Sequence, residues 1–328
     1  MFLFVLSSCV QESGKKQEPV KSAKTYFADC PEFDKDLAYD LIQMQVDFGP
    51  RIPGTEAHRA CSDSMIRYLE KYSDRVLVQN DKVETYNGKI FEAKNIIASF
   101  NPEAPKRILL CAHYDTRPFA DQDPLNPTGT FSGANDGASG TGVLLSIAKS
   151  ISEHPIELGI DIILFDVEDY GQPENVRKYK PDTYCLGSQS WAKNPHVKNY
   201  RAQFGILLDM VGAKNAVFPR EGVSMQYAPT ITTEIWDVAN LLGYSKYFDY
   251  SVSKPITDDH LYINKIAGIP TIDIIHLDKH NQFRFGDFWH THDDNMSIID
   301  KATLTAVGQS VIQVVYNFDS TSSIKPRS

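Results

Sequence analysis

Six polar clusters along the chain carry the residue types that bind metal ions and move protons. They are His113-Tyr114-Asp115, Gly133-Ala134-Asn135-Asp136-Gly137, Glu168-Asp169, Asp209, Asp258-Asp259-His260 and Trp289-His290-Thr291-His292-Asp293-Asp294-Asn295. Most of them directly follow an apolar run, the pattern expected when an α/β scaffold collects ligands at the carboxyl edge of its sheet. Zinc draws its ligands from Cys, His, Asp and Glu, and a catalytic zinc keeps one position open. Asp136, Asp169 and His290 supply three such groups from three separate loops, with a water or substrate oxygen to complete the shell. His113 and Asp209, with Asp136 bridging, form a possible second site of the two-metal kind. Glu168 precedes Asp169, and adjacent residues leaving a strand point in opposite directions. Asp169 is therefore expected to bind metal while Glu168 faces the substrate as a general base.

These groups need a rigid frame, and the spacing of apolar residues supplies one. Leu37, Leu41, Ile42, Met44 and Val46 recur at helical spacing between Asp34 and Asp47. Pro50, Pro53 and Gly54 then break the chain, and Thr55 is placed to cap a helix running through Tyr72. Residues 76–100 alternate like two strands turning at Asn87-Gly88. Beyond them strands are expected over 107–113, 160–167, 204–210 and 271–277. Helices are expected over 142–152, 188–194, 229–242, 259–267 and 301–318. This alternation predicts an α/β fold: a mixed, mostly parallel central sheet with helices on both faces, and antiparallel strands at one edge. The long polar loops at 116–132 and 170–184 leave the sheet beside ligand candidates and are expected to wall a pocket.

The 328 residues carry 33 Lys and Arg against 42 Asp and Glu, a formal charge of −9. That balance argues against nucleic acid as a partner, because phosphate binding calls for a basic face. Met1 to Val5 is apolar and leads into Leu6-Ser7-Ser8-Cys9, which resembles the bacterial lipoprotein signal-peptidase site, where the Cys becomes lipidated. No Lys or Arg precedes it and the apolar stretch is short, so a start upstream of Met1 is expected. The polar run from Val10 to Lys24 reads as a tether. The chain thus divides into a signal remnant and tether, 1–24, and a single zinc-dependent catalytic domain, 25–328. This places the protein in a bacterial periplasm or cell envelope, held to a membrane only through lipidated Cys9. An export route permits disulfides. Cys30 and Cys61 flank early helices and are candidates to pair, whereas Cys111, mid-strand, is expected as a buried free thiol.

From Tyr114 onward the chain resembles the zinc-dependent aminopeptidase superfamily. Within it the chain is most similar to the animal-type (type II) glutaminyl cyclases and their bacterial relatives. The motifs that carry the resemblance are His113-Tyr114-Asp115, Gly133-Ala134-Asn135-Asp136, Phe165-Asp166-Val167-Glu168-Asp169, Gly187-Ser188, Leu208-Asp209-Met210-Val211-Gly212-Ala213, Asp258-Asp259-His260 and Trp289-His290-Thr291. Trp289 directly before the ligand His, the Asp-Asp-His triplet and Phe285 tilt the resemblance toward the cyclases. It implies a zinc-dependent acyltransferase that converts N-terminal glutamine of peptides to pyroglutamate with release of ammonia, using one zinc ion; the chain itself is expected to be a monomer. In that reading Glu168 is base and acid, Asp209 and Asp259 share a proton, and Trp289 and Phe285 line a pocket for the glutamine side chain. Departures are the Glu-Asp pair where animal cyclases have Glu-Glu, and Thr257 where they have Gln. A second pocket Trp also has no clear counterpart; Tyr170 is a candidate substitute, and Trp191 is expected in core or pocket wall. The alternative is an exported two-zinc aminopeptidase.

Overall fold

The computed structural model describes residues 27–322 apart from 174, 175, 177, 279 and 281–284. Two helices open it. α1 (Lys35–Asp47) is capped by Asp34, which accepts from the Leu37 N–H, and α2 (Glu56–Tyr72) by Thr55, which accepts from the His58 N–H. A hairpin follows, β1 (Arg75–Glu84) and β2 (Ile90–Phe100). The order then runs β3 (Arg107–His113), α3 (Ala138–Glu153), β4 (Gly159–Phe165), α4 (Leu186–Lys193) and β5 (Gly205–Asp209). After these come β6 (Phe218–Arg220), α5 (Gly222–Tyr227), α6 (Pro229–Leu241), β7 (Phe248–Val252), α7 (Asp259–Tyr262), β8 (Thr271–Ile275) and α8 (Lys301–Ser322).

Six strands form one sheet in the order β1-β2-β4-β3-β5-β8. β4, β3, β5 and β8 run parallel, while β2 is antiparallel to both β1 and β4. This is the mixed, mostly parallel sheet with an antiparallel edge that the sequence predicts. Alternate strand residues divide between two buried layers. Ile108, Leu110, Ile162 and Leu208 join a core with residues of α1, α3, α6 and α8. Leu109, Cys111, Ile163 and Leu207 face the other way, toward Trp191 of α4 and Ile263. Because four parallel strands end at one edge, their carboxyl termini bring His113, the segment after Phe165, and Asp209 to the same place.

Several local details depart from the expected pattern. α3 begins at Ala138 rather than 142, because Gly137 at φ +87° turns the chain sharply into it. Its interior Gly140 lets the helix lie directly on β5, where an added Cβ would sit 2.1 Å from the Leu208 carbonyl oxygen. The helix expected over 259–267 is α7 followed by a π-helical turn, Ile263–Ala267. There the Asn264 amide donates to the carbonyls of His260 and Thr271, which draws the turn wide of an ordinary α-helix. The small parallel pair β6–β7 and the short α5 have no counterpart in the sequence pattern. All four described cysteines are free. Cys61 is buried in α2 and the Cys30 thiol donates to Gln313 Oε1 at 3.2 Å, so the candidate Cys30–Cys61 pairing does not form. Cys111 is the expected buried thiol. Cys9 and the tether lie outside the described residues. Among those described, no helix is long and apolar enough to cross a membrane.

Candidate active site

A cavity of about 470 Å³ opens at the carboxyl edge of the sheet. Asp136, Asp169 and His290 line it together, with ligand atoms all within 4.8 Å of one another. His290 Nε2 lies 3.2 Å from Asp169 Oδ1 and 3.6 Å from Asp136 Oδ2. Asp169 Oδ2 is buried with no hydrogen-bond partner. Two carboxylates and one imidazole converging around an unsatisfied oxygen form the donor set of a catalytic zinc with its fourth position open. His113 sits alongside, its Nε2 3.1 Å from Asp136 Oδ1 and 3.2 Å from Asp209 Oδ1. Those three form a second group that satisfies the same distance criterion.

Main-chain clamps fix these side chains. The Asp115 carboxylate accepts from the N–H groups of Glu168 and Asp169 at 3.0 and 3.1 Å. Asp294 does the same for Asn135 and Asp136 at 2.7 and 3.0 Å. Each acidic ligand is thus pinned at its own backbone by a second, buried acid. Asp121 Oδ1 stands 3.2 Å from His290 Nδ1, on the far side of the ring from the two acidic candidates. Arg117 holds Asp121 through two hydrogen bonds of 2.8 and 2.7 Å and reaches the Asp169 carbonyl at 3.1 Å. Asp115, Arg117, Asp121 and Asp294 carry no pattern in the sequence that assigns them a role. The one available signal was that Asp115 and Asp294 sit inside motifs already rich in ligands.

Glu168 reaches the same cavity as Asp169, not the opposite side of a strand. β4 ends at Phe165, and Val167 takes a left-handed conformation at φ +53°, so strand alternation no longer applies when the chain reaches 168. Burial pushes the Glu168 carboxyl well above its ordinary range. The charge of His113 opposes that rise, and Asp169, Asp258 and Asp259 add to it. Cys185 donates its thiol to Glu168 Oε1 at 3.1 Å.

Of the Asp-Asp pair, Asp258 and not Asp259 lines the cavity with Asp209. Asp258 is the extended N-cap of α7 (φ −157°, ψ 174°), whereas Asp259 opens the helix; both are buried, and only Asp258 borders the cavity. The partner expected for Asp209 is therefore displaced by one residue. Burial raises Asp258 to about 7, with Asp209 the next contributor, and raises Asp209 itself to about 6 against the pull of His113.

Trp289 and Phe285 form the aromatic wall, ring centroids 4.6 Å apart, and Trp289 stacks on His290 at 3.8 Å. Thr257 also lines the cavity. Tyr170 packs instead against Phe91, and Trp191 lies in the core against Phe165. The loops expected to wall the pocket do so: Asp121 and Gln122 contribute from one, Tyr179 and Tyr184 from the other.

A mostly parallel, helix-covered sheet that gathers two Asp, one His and a Glu at its carboxyl edge defines a zinc-exopeptidase-like α/β enzyme. The chain belongs to peptidase family M28, whose model matches residues 95–315. A zinc-dependent exopeptidase from Parabacteroides distasonis is 49% identical, superposes with a TM-score of 0.87, and covers 88% of this chain and 100% of its own. A Bacteroides thetaiotaomicron glutaminyl cyclase, solved bound to N-acetylhistamine, is 50% identical at a TM-score of 0.86, covering 88% of this chain and 99% of its own. The glutaminyl-peptide cyclotransferase of Gloydius blomhoffii is 26% identical over 295 residues, 80% of this chain and 76% of that protein.

Proposed function

We propose that this protein is a zinc-dependent glutaminyl-peptide cyclotransferase, converting N-terminal glutamine of peptides to pyroglutamate and ammonia. The observation that carries the reading is one cavity in which Glu168, the Asp136–Asp169–His290 set and the Trp289–Phe285 wall meet. The 50% identity with a glutaminyl cyclase over nearly its whole length supports it.

Asp136, Asp169 and His290 would hold one zinc ion, which when bound supplies Lewis-acid polarisation of the glutamine amide carbonyl. The aromatic wall accepts the flat side chain and holds its amide near the α-amino group, so attack is intramolecular and its entropy cost is largely met on binding. Glu168 accepts a proton from the α-amino nitrogen as that nitrogen bonds to the amide carbon. The carbon–nitrogen bond of the original amide breaks, and Glu168 returns the proton to the departing nitrogen, which leaves as ammonia. A carboxyl raised by burial suits both roles near neutral pH. Asp209 and Asp258 face the amino group from the opposite wall. Two neighbouring carboxyls there cannot both ionise cheaply, so together they hold a proton close to the transfer.

A second reading, a two-zinc aminopeptidase, is favoured by the His113–Asp136–Asp209 group. In the one-zinc reading the His113 ring itself lies between Asp136 and Asp209 and ties them together. Mass spectrometry on a Gln-initiated peptide, with zinc measured on the same sample, separates the two. Loss of ammonia alone with one zinc per chain is expected. Stepwise release of N-terminal residues with two zinc ions would move the assignment to the aminopeptidase. Envelope location through lipidated Cys9 is part of the proposal, supported by Leu6-Ser7-Ser8-Cys9. Labelled fatty acid should be incorporated into the wild-type chain in a bacterial host and not into Cys9→Ser.

A further inference from the structure

Cys185 is a buried thiol beside Glu168 that the reaction as described does not use. It precedes α4 in a left-handed conformation (φ 60°, ψ 35°), a region that a residue with a Cβ seldom occupies. Its neighbours hold it there. Its N–H donates to the Glu168 carbonyl at 2.8 Å, and the next N–H, of Leu186, donates to the Val167 carbonyl at 3.0 Å. Its own carbonyl accepts from the Gln189 N–H at 3.0 Å and from the Ser188 hydroxyl at 3.1 Å. Gly187 then lets the start of α4 lie directly on the segment after β4, since an added Cβ would sit 2.1 Å from the Asp166 carbonyl oxygen. A strained residue persists only where the surrounding structure over-determines it, and such residues gather at functional sites.

This bracket sets the Cys185 thiol against the end of the Glu168 side chain, with Sγ donating to Oε1 at 3.1 Å. Among the described residues no other group donates to the Glu168 carboxyl. The main chain of Glu168 is already gripped on both sides, its N–H by Asp115 and its carbonyl by Cys185. What stays loose in a glutamate is the last torsion, whose preference is broad and roughly two-fold. A bond to one oxygen removes that freedom, and so fixes the direction of the other oxygen in the cavity that Glu168 lines. A thiol suits the task because it is a weak donor. It holds the oxygen without competing strongly for the proton the base must take.

We propose that Cys185 is a positioning residue for the general base: its thiol fixes one oxygen of Glu168 and so aims the carboxylate at the substrate amino group. This rests on the cyclase reading. Cys185 is wholly buried and does not border the cavity, so it acts only through Glu168. Alanine at 185 would leave the carboxylate free to turn. Substrate would still meet the aromatic wall and zinc its three ligands, while proton transfer would start from a poorly directed base. Serine would keep a donor in the same place.

Zinc-loaded wild type, Cys185→Ala and Cys185→Ser are compared by kcat and KM for ammonia release, metal content and thermal midpoint. In Cys185→Ala, kcat should fall about tenfold, with KM and metal content unchanged. Cys185→Ser should recover most of that loss. Unchanged kcat in Cys185→Ala overturns the proposal. So does an equal loss in both variants, which would mark Cys185 as packing alone. The contact itself is read from the infrared S–H stretch of Cys185, isolated by subtracting the spectrum of the matching Cys185→Ser protein so that the other thiols cancel. Glu168→Ala removes the acceptor and should move that band to the position of a free thiol; a band that stays in place overturns the proposal. If Cys185→Ala does not fold, this band decides alone. If the wild type releases no ammonia from Gln peptides, the functional reading fails, while the S–H comparison still reports on the contact.

Discussion

Glu168 is the residue on which the proposed chemistry turns, and glutamine there keeps its size while removing the proton acceptor. Glu168→Gln is expected to lower ammonia release by roughly 10²- to 10⁴-fold, with zinc content unchanged, as read by a coupled ammonia assay and metal analysis on one sample. Asp294 acts one step back from the metal. Alanine there would free the Asn135 and Asp136 N–H groups it now clamps and should weaken zinc binding by roughly 10- to 100-fold. Competition with a chromophoric chelator measures that loss, and unaltered affinity would refute the clamp's role. Residue types and their order marked Asp136, Asp169, His290, His113, Glu168 and Asp209 as neighbours, and the fold does bring them together. What the sequence did not reveal was direction. Whether Asp258 or Asp259 faces the cavity depends on which one caps α7 and which begins it, a difference of one residue in backbone conformation. The buttressing Arg117 and Asp121 were hidden because they sit in a loop with no periodicity.

At the scale of elements, α3 shows how a single backbone conformation positions a ligand. Gly137 holds φ +87° directly after Asp136, and an added Cβ would lie 2.7 Å from the Asp115 carbonyl oxygen. Gly137→Ala is therefore expected to destabilise the fold by about 1–3 kcal/mol and to displace Asp136, a combination visible as a lower urea midpoint together with reduced zinc affinity. The strands of the main sheet were readable because parallel, doubly covered strands appear as short apolar runs. β6 and β7 were not, since three and five residues with a mostly exposed β7 give no such run. The π-turn after α7 escaped for a related reason: it depends on the distant Thr271 carbonyl that Asn264 reaches.

Across the whole molecule, acid stability should report on Glu221. Burial alone would raise its carboxyl, but His260 and the N–H groups of Val223 and Ser224 outweigh burial and hold it at about 2, below its ordinary value of 4.5. A carboxyl lowered in the folded state stabilises the protein above its unfolded value and loses that contribution as pH falls through the folded one. Glu221 should therefore contribute fully above about pH 4.5 and progressively less toward pH 2. Glu221→Gln should flatten that part of the stability profile in chemical denaturation; an unchanged slope would contradict the assignment. The clamps at Asp115 and Asp294 have a further consequence for the life of the protein. They grip main-chain N–H groups, not the ion, so the socket is assembled by folding alone. Stripping the ion with a chelator should leave the circular dichroism spectrum and cooperative unfolding intact, and adding zinc back should restore activity without a refolding lag. Manufacture and loading would then be separable events, and a chain completed in one compartment could take up its ion in another.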